Sequence, residues 1–296
     1  MKSITYSNLW RRLLPHYDER EAKAVVRTLV EELFQLTLTD LYAGGLDNLT
    51  TAEQQRLETS LQQLEAGIPV QYVTGTARFF GRDYVVNPHV LIPRPETEVL
   101  CETILSAYNQ PYCALQPPVP LRVLDVGTGS GCIAVTLALD LWNSSVSAWD
   151  ISGEALLTAR ENAHRQQAQV NFEWHDVLSL DEAALAATPF DIIVSNPPYV
   201  CDRERKDMTE QVLAHEPHTA LFVPDNDPLL FYRSIARYGL SHLKPSGMLA
   251  FEINPIYAEE TCKMLEHMGY EQIESKEDQY GKERIVICLL YTSDAA

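Results

Sequence analysis

The chain has 296 residues, of which 46% are hydrophobic and 22% are charged. This composition is ordinary for a soluble globular protein, and the length allows a domain of about 200 residues together with a smaller one. The formal net charge is −18, from 41 acidic residues against 23 Lys and Arg. A field of that sign repels polyanions, so it argues against a large nucleic-acid footprint, although a local basic patch could survive it.

The six cysteines and the N-terminal residues indicate the compartment. The cysteines form no Cys-x-x-Cys pair and lie far apart in the chain, which favours reduced thiols over disulfides or a metal site. The first residues, "MKSITYSNLWRRLLPHY", have no sustained apolar stretch, and nowhere do 18 apolar residues run together. We therefore predict a cytoplasmic protein with neither signal peptide nor membrane span, and with no metal.

The first part of the sequence is predicted to be helical. Apolar residues recur at helical spacing over 17–36 and again over 51–66, which predicts a small helical domain at 1–74 that would recognise the substrate. Aromatic and β-branched runs on either side of Gly81 then predict a β-hairpin linker at 75–95.

From Arg122 onward, apolar strand patterns alternate with helical ones. The predicted strands are "RVLDVG", "VSAWDI", "VNFEWHDV", "DIIVSN" and "MLAFEI". The predicted helices are "GCIAVTLALDLW", "GEALLTARENAHRQ", "PLLFYRSIARYGLSHL" and "AEETCKMLEHMG". This alternation predicts an α/β domain at 96–290, with a parallel sheet covered on both faces and ligands at the carboxyl ends of its strands. The proline-rich "QPPVP" at 116–120 is read as the linker before the first strand, and 291–296 as an unstructured tail.

A glycine-rich turn follows the first of these strands. Gly127, Gly129 and Gly131 permit a sharp turn and the close approach of a ligand to the backbone. Their Gly-x-Gly-x-Gly spacing differs from the dinucleotide fingerprint and lacks the lysine of a P-loop. Asp125 precedes the turn and is expected at the mouth of the site, where its charge would suit a cationic group better than a pyrophosphate.

Two further acids follow the next two predicted strands. Asp150 ends "VSAWD", where a carboxylate can accept hydrogen bonds from both ribose hydroxyls of a nucleoside. Asp176 is expected to end the following strand and to accept from an adenine amino group, with Val177 beside the ring. A single acid at a strand end is usually a helix cap or a solvated residue, but three of them after such a glycine turn indicate a nucleoside site.

These motifs resemble those of the class I methyltransferases that use S-adenosylmethionine, over roughly residues 120–290. The resemblance implies a Rossmann-like, mostly parallel seven-stranded sheet. It also implies that Asp150 holds the ribose of the cofactor and that Asp176 and Val177 border its adenine. The residues implied to wrap the cofactor are Gly127, Thr128, Gly129, Ser130 and Gly131. A nucleoside-binding α/β domain of another kind is the alternative.

The segment "SNPPYV" follows the fourth predicted strand of this domain. Its prolines could simply stiffen the exit from the strand. A chemical role is also open, because an amide or aromatic amine nitrogen is a weak nucleophile with two N–H hydrogens by which it can be aimed. The side-chain oxygen of Asn196 and the carbonyl of Pro197 can accept those hydrogens, Pro198 keeps the backbone rigid, and Tyr199 can stack on the planar group.

This tetrapeptide resembles that of methyltransferases acting on planar nitrogens. With the helical domain and "VLIPRPETE" (90–98), the chain closely resembles the protein-glutamine methyltransferases that modify the Gly-Gly-Gln loop of peptide-chain release factors. "HEPHTALF" (215–222) and the strand "RIVICLL" add to the likeness. The family's usual Gly and Gln are replaced here by Asn254 and Tyr257, which puts the geometry of that loop in doubt.

Arg94, Glu96 and Thr97 belong to "IPRPETE". They are expected either to cover cofactor and substrate, with Glu96 or Thr97 near the sulfonium, or to form an interdomain hinge held by prolines. His175, beside Asp176, is interpreted as structural rather than as a general base.

The sequence therefore predicts methyl transfer from S-adenosylmethionine to the side-chain amide of a release-factor glutamine, with no membrane partner and no high-affinity nucleic-acid partner. Three alternatives remain open. They are a ribosomal-protein glutamine methyltransferase, an adenine-amino methyltransferase of DNA or RNA, and a non-enzymatic cofactor sensor bound to the translation machinery. The last would have no need of Asn196 and Tyr199.

Overall fold

The computed structural model describes residues 5–109, 119–278 and 280–291. Most of the predicted linker at 116–120 and all but the first residue of the predicted tail lie outside this part of the chain. The described residues fall into two compact units. The helical unit comprises the described residues of Met1–Ala77, Val86–Pro88 and Met208–His215, and the sheet unit comprises those of Arg78–Val85, His89–Asp207 and Glu216–Ala296.

The helical unit packs its helices around a leucine- and valine-rich core. Its helices are α1 (Tyr6–Arg12), α2 (Glu19–Phe34), α3 (Leu38–Tyr42), α4 (Thr51–Glu65) and α5 (Val70–Thr74). Asp18 accepts the amide of Glu21 at the start of α2, and Thr50 and Glu53 form a capping box at the start of α4. Arg12 joins α1 to α4 through ion pairs with Glu58 and Glu65.

Only part of the predicted linker at 75–95 is hairpin. Strands β1 (Thr76–Phe79) and β2 (Arg82–Val85) form a two-stranded sheet. Phe80 and Gly81 connect them with φ of 49° and 74°, the positive values that a type I′ hairpin turn requires at both positions. The remainder of the segment has no regular structure until the next helix begins at Pro95.

The sheet unit contains a seven-stranded sheet in the order β10-β11-β9-β6-β3-β4-β5. Its strands are β3 (Leu121–Val126), β4 (Ser144–Asp150), β5 (Val170–Trp174), β6 (Phe190–Ser195), β9 (Leu243–Glu252), β10 (Tyr270–Glu277) and β11 (Glu283–Leu290); the short strands β7 (Val200–Cys201) and β8 (Phe222–Val223) pair separately. The five strands β9, β6, β3, β4 and β5 are parallel to one another, and β11 runs antiparallel to both β9 and β10.

Helices cover both faces of this sheet. They are α6 (Pro95–Tyr108), α7 (Cys132–Asp140), α8 (Gly153–Gln166), α9 (Glu182–Leu185), α11 (Leu230–His242) and α12 (Ala258–His267), while α10 (Glu210–His215) belongs to the helical unit. Residues of α6, α7 and α8 pack into one apolar core. Residues of α11 and α12 pack into a second core with alternate residues of the same strands. The predicted α/β fold with a mostly parallel seven-stranded sheet is confirmed.

Five cysteines lie in the described part of the chain, and all five are free thiols. Among these same residues, every helix is too short or too polar to cross a membrane.

Candidate active site

A cavity of about 360 Å³ opens at the carboxyl ends of β3, β4 and β6. The predicted site residues that line it are Arg94, Thr97, Gly127, Thr128, Gly129, Ser130, Asp150, Asp176, Val177, Asn196, Pro197 and Pro198. Four other predicted site residues, Glu96, Asp125, Gly131 and Tyr199, are absent from its wall. Residues from five separate stretches of sequence thus meet at one edge of the parallel sheet.

The three glycines of the turn play two different parts. All have positive φ, of 74° at Gly127, 54° at Gly129 and 81° at Gly131, which an L-residue with a side chain rarely adopts. A Cβ at Gly127 or Gly129 would meet no protein atom within 4 Å, whereas a Cβ at Gly131 would lie 3.0 Å from the Cβ of Ala159. The first two glycines therefore keep cavity space open, and the third lets α8 pack against the turn.

The prediction that Asp125 lies at the mouth of the site is wrong. The residue is fully buried within β3, beneath the turn. One carboxylate oxygen accepts the hydroxyl of Thr128 at 2.6 Å, and the other has no hydrogen-bond partner. Burial raises the pKa of Asp125 from 3.8 to about 7, because desolvation disfavours the charged form.

Asp150, at the end of β4, supports the glycine turn from the cavity wall. Its Oδ2 accepts the amide of Gly129 at 2.8 Å, and its Oδ1 accepts the amide of Ser152 at 2.8 Å. Burial raises the pKa of Asp150, and these backbone hydrogen bonds oppose the shift. Because each carboxylate oxygen has two lone pairs, both retain the capacity to accept a further hydrogen bond from a ligand.

Asp176 and Val177 lie beyond the end of β5, which stops at Trp174. Asp176 therefore follows the strand by two residues rather than ending it, and its Oδ1 accepts the amide of Leu178 at 2.9 Å. His175 is buried, packs against Trp149 with ring centroids 4.5 Å apart and ring planes tilted by 55°, and lies 3.1 Å from a carboxylate oxygen of Glu173. These contacts are those of a histidine that holds the strand exit in place.

The registers of three neighbouring strands explain where Asn196 lies. Ser195 of β6 is paired with Val126 of β3 and with Phe251 of β9. The next residue of each strand or turn is Gly127, Asn196 and Glu252, so these three follow one another along the same edge of the sheet.

Asn196 is held by a chain of hydrogen bonds behind the cavity. Its Nδ2 donates to Thr97 Oγ1 at 3.2 Å, and the Thr97 hydroxyl donates to Glu252 Oε2 at 2.6 Å. Tyr199 donates its hydroxyl to the other oxygen of Glu252 at 3.1 Å and packs on the second core. Tyr199 therefore does not present its ring to the cavity, and the predicted stacking role is wrong in this structure.

The "IPRPETE" segment is divided between cavity and support. Arg94 lines the cavity and forms an ion pair with the buried carboxylate of Glu216, which also accepts the amide of Ile92 at 3.3 Å. Thr97 also lines the cavity, but Glu96 does not. Glu96 and Thr97 are the two residues expected near the sulfonium, and of these Thr97 is the one at the cavity wall.

Several lining residues were missed by the sequence analysis. Pro217, Thr219, Ala220 and Phe222 come from "HEPHTALF", a motif that carries a family likeness, and Phe231 and Ile235 come from α11. An apolar residue of a helix has no sequence signal that separates cavity wall from core. The first four had a signal in the motif itself.

The loop carrying Asn254 and Tyr257 is well bonded. Asn254 Nδ2 donates to the carbonyl of Tyr199 at 3.1 Å and to Glu204 at 2.9 Å, and its Oδ1 accepts the amide of Ile256. The hydroxyl of Tyr257 accepts from Arg203 and lies 3.4 Å from the sulfur of Cys201. The two replacements thus tie the segment after the tetrapeptide to the end of β9.

Comparisons with known proteins agree with this architecture. Residues 8–75 match the PrmC N-terminal domain model, and residues 113–222 match the methyltransferase small domain model. A methyltransferase structure from Pyrococcus furiosus superposes with a TM-score of 0.52 over 82% of this chain and all of that one, at 17% identity, which supports the fold.

Several relatives match nearly the whole chain. A release factor glutamine methyltransferase of Bacteroides thetaiotaomicron is 43% identical over 91% of this chain and 93% of its own. One of Bacillus subtilis is 39% identical over 98% of this chain and 99% of its own. At such identity and coverage, the chain belongs to the release factor glutamine methyltransferase family.

Proposed function

We propose that this protein transfers a methyl group from S-adenosylmethionine to the side-chain amide nitrogen of the glutamine in the Gly-Gly-Gln loop of peptide-chain release factors. One observation carries the proposal. The amide of Asn196 is fixed through its nitrogen, beside a glycine turn that leaves its ligand space open. The substrate class follows the names of the relatives at 43% and 39% identity.

The cavity fits an adenosine-type cofactor. Gly127 and Gly129 leave space that a Cβ would fill, and Asp150 retains lone pairs for the ribose hydroxyls. Asp176 and Val177 line the part of the wall assigned to adenine, and Thr128 and Ser130 complete the turn. When bound, the cofactor supplies an electrophilic methyl group on a positively charged sulfur.

The residues of this chain would orient the acceptor. The Oδ1 of Asn196 accepts one N–H of the glutamine amide and the carbonyl of Pro197 accepts the other, so the lone-pair face of the nitrogen is held toward the methyl donor. The two prolines keep these acceptors rigid. Orientation of this kind contributes several kcal/mol of the ~7–11 kcal/mol available from aligning two reactants. The methylated amide then loses its surplus proton to water, so the site needs no strong base.

Release factors act where translation terminates, so we assign the protein to the cytoplasm. Its strongly acidic charge accords with a protein substrate rather than a nucleic acid.

The test is incorporation of labelled methyl groups. The protein is incubated with labelled S-adenosylmethionine and, in parallel, with a release factor, its loop Gln→Ala variant, ribosomal proteins, ribosomal RNA and duplex DNA. Label is expected in the release factor alone and not in its variant. Label in nucleic acid but not in the release factor would instead identify an adenine-amino methyltransferase. Label in a ribosomal protein alone would identify a ribosomal-protein glutamine methyltransferase.

A further inference from the structure

The tetrapeptide alone does not determine whether the oxygen or the nitrogen of the Asn196 side chain faces the substrate. A side-chain amide has an acceptor oxygen and a donor nitrogen of nearly the same shape. Only the oxygen can accept an N–H of a glutamine substrate, so the side chain is competent in one of its two orientations. The residues behind Asn196 must therefore select that orientation.

Glu252 is the fixed end of the hydrogen-bond chain. It is 1% exposed, and its two oxygens accept separate hydroxyls, Thr97 at 2.6 Å and Tyr199 at 3.1 Å. A carboxylate has no proton to donate, so both hydroxyls must point their protons toward it. Burial raises the pKa of Glu252, and the hydrogen bonds from Thr97 and Tyr199 and the positive charge of Arg284 oppose that shift.

The direction of the hydrogen bond from Thr97 to Glu252 also determines which atom of Asn196 can bond to Thr97. Its hydroxyl has a single proton, which is already donated to Glu252, so only lone pairs remain to face Asn196. A lone pair can be met by Nδ2 but not by Oδ1, and the Nδ2 to Oγ1 distance is 3.2 Å. Thr97 is 2% exposed, so water does not compete readily for its hydroxyl.

We infer that Glu252 and Thr97 are positioning residues that set the direction of the hydrogen-bond chain and so present the Asn196 oxygen, rather than its NH₂ group, to the substrate amide. The inference rests on the proposed function. It assigns a role to Glu252, which lies 155 residues from Thr97 in sequence and meets it through α6 and β9. A protonated or amide side chain at 252 could donate to Thr97 and reverse the whole chain.

Three variants test the role of the hydroxyl and the carboxylate. Thr97→Val removes the hydroxyl at nearly constant shape, Thr97→Ser restores it, and Glu252→Gln permits donation toward Thr97. The matched control is Thr103→Val, the same exchange at a buried threonine of the same helix that does not line the cavity. Turnover of a release factor and calorimetric affinity for S-adenosylmethionine are measured for each.

Thr97→Val and Glu252→Gln are expected to lower kcat by roughly 10- to 100-fold, because a misaimed acceptor loses much of the advantage of orientation. Cofactor affinity should stay within about threefold, and Thr97→Ser and Thr103→Val should keep most of the turnover. If Thr97→Val matches Thr103→Val, or if Thr97→Ser is as slow as Thr97→Val, the inference is overturned. If the unaltered protein does not methylate the release factor, the proposed function fails instead.

Discussion

Asn196 and Asp150 both lie at the edge of the sheet, but they contact different groups. Asn196 holds no backbone group of the glycine turn, whereas Asp150 holds the amides of Gly129 and Ser152 and faces the cavity. We therefore assign Asn196 to the acceptor and Asp150 to the cofactor.

Asn196→Ala and Asp150→Asn should have opposite signatures. Asn196→Ala should remove most turnover and leave the Kd for S-adenosylmethionine within a few-fold, because only the acceptor loses its partner. Asp150→Asn should weaken cofactor binding by roughly 10- to 100-fold, since a charge-assisted hydrogen bond contributes about 1.5–3 kcal/mol. Calorimetry and steady-state kinetics measure the two effects. Equal loss of cofactor affinity in both variants would contradict this division of duties.

Asp125 makes a second prediction at this scale, on stability rather than turnover. Its pKa is raised from 3.8 to about 7 in the folded protein. A raised acid pKa favours the protonated native state, so this contribution to stability is present at low pH and is lost as the pH rises through about 7. Asp125→Asn cannot ionise and keeps an acceptor for Thr128. It should therefore gain about 2 kcal/mol of unfolding free energy relative to the wild type between pH 5 and pH 8.

Urea unfolding at the two pH values measures this difference. The comparison between variant and wild type cancels the other groups that titrate over the same range. If the unfolding free energies of variant and wild type change equally between the two pH values, Asp125 is not held neutral in the folded state.

Among the elements, α8 connects the hairpin to the glycine turn through one buried side chain. Asn162 is fully buried, and its Oδ1 accepts the amide of Val85 at 2.7 Å. Its Nδ2 donates to the carbonyls of Val85 and Ser130, both at 2.9 Å. A single amide thus pairs three backbone groups, two of β2 and one of the turn.

Asn162→Ala should destabilise the protein by about 2–4 kcal/mol, because it leaves buried backbone groups without partners. The same variant should weaken S-adenosylmethionine binding, since Ser130 belongs to the turn. Glu161→Ala is the matched control, because Glu161 is exposed and its ion pair is with Arg165 on the same helix; it should change stability by less than about 0.5 kcal/mol. Equal effects of the two substitutions on denaturant midpoints would refute the role of Asn162.

The position of α8 could be predicted from the sequence, but the long-range contacts of its residues could not. Helical periodicity predicts α8 at residues 153–166, and the structure has it at Gly153–Gln166, because apolar spacing is a local signal. The three contacts of Asn162 join residues 32 and 77 positions away, and no local pattern encodes them. The Thr97–Glu252 contact could not be predicted for the same reason. The burial of Asp125 could not be predicted either, because a strand pattern does not show how deep its last polar residue lies.

At the scale of the whole molecule, the net charge of −18 is the property that bears on the choice of substrate. The acidic field repels a phosphate backbone, and at physiological ionic strength salt confines this repulsion to within about 8 Å of the surface. A methyltransferase that handles nucleic acid has to overcome this repulsion with a basic groove. A protein loop carrying a neutral glutamine needs no such groove.

We expect no saturable binding of fluorescent duplex DNA or ribosomal RNA fragments below about 100 µM at 150 mM salt, which is weaker than the usual non-specific range of ~1–100 µM. Fluorescence anisotropy measures the binding, and the same titration with S-adenosylmethionine present covers a site that needs the cofactor. Excess RNA should also leave methylation of the release factor unchanged. A micromolar Kd that falls off steeply with salt would reveal counterion release from a basic surface, and it would favour the adenine-amino alternative over the glutamine substrate.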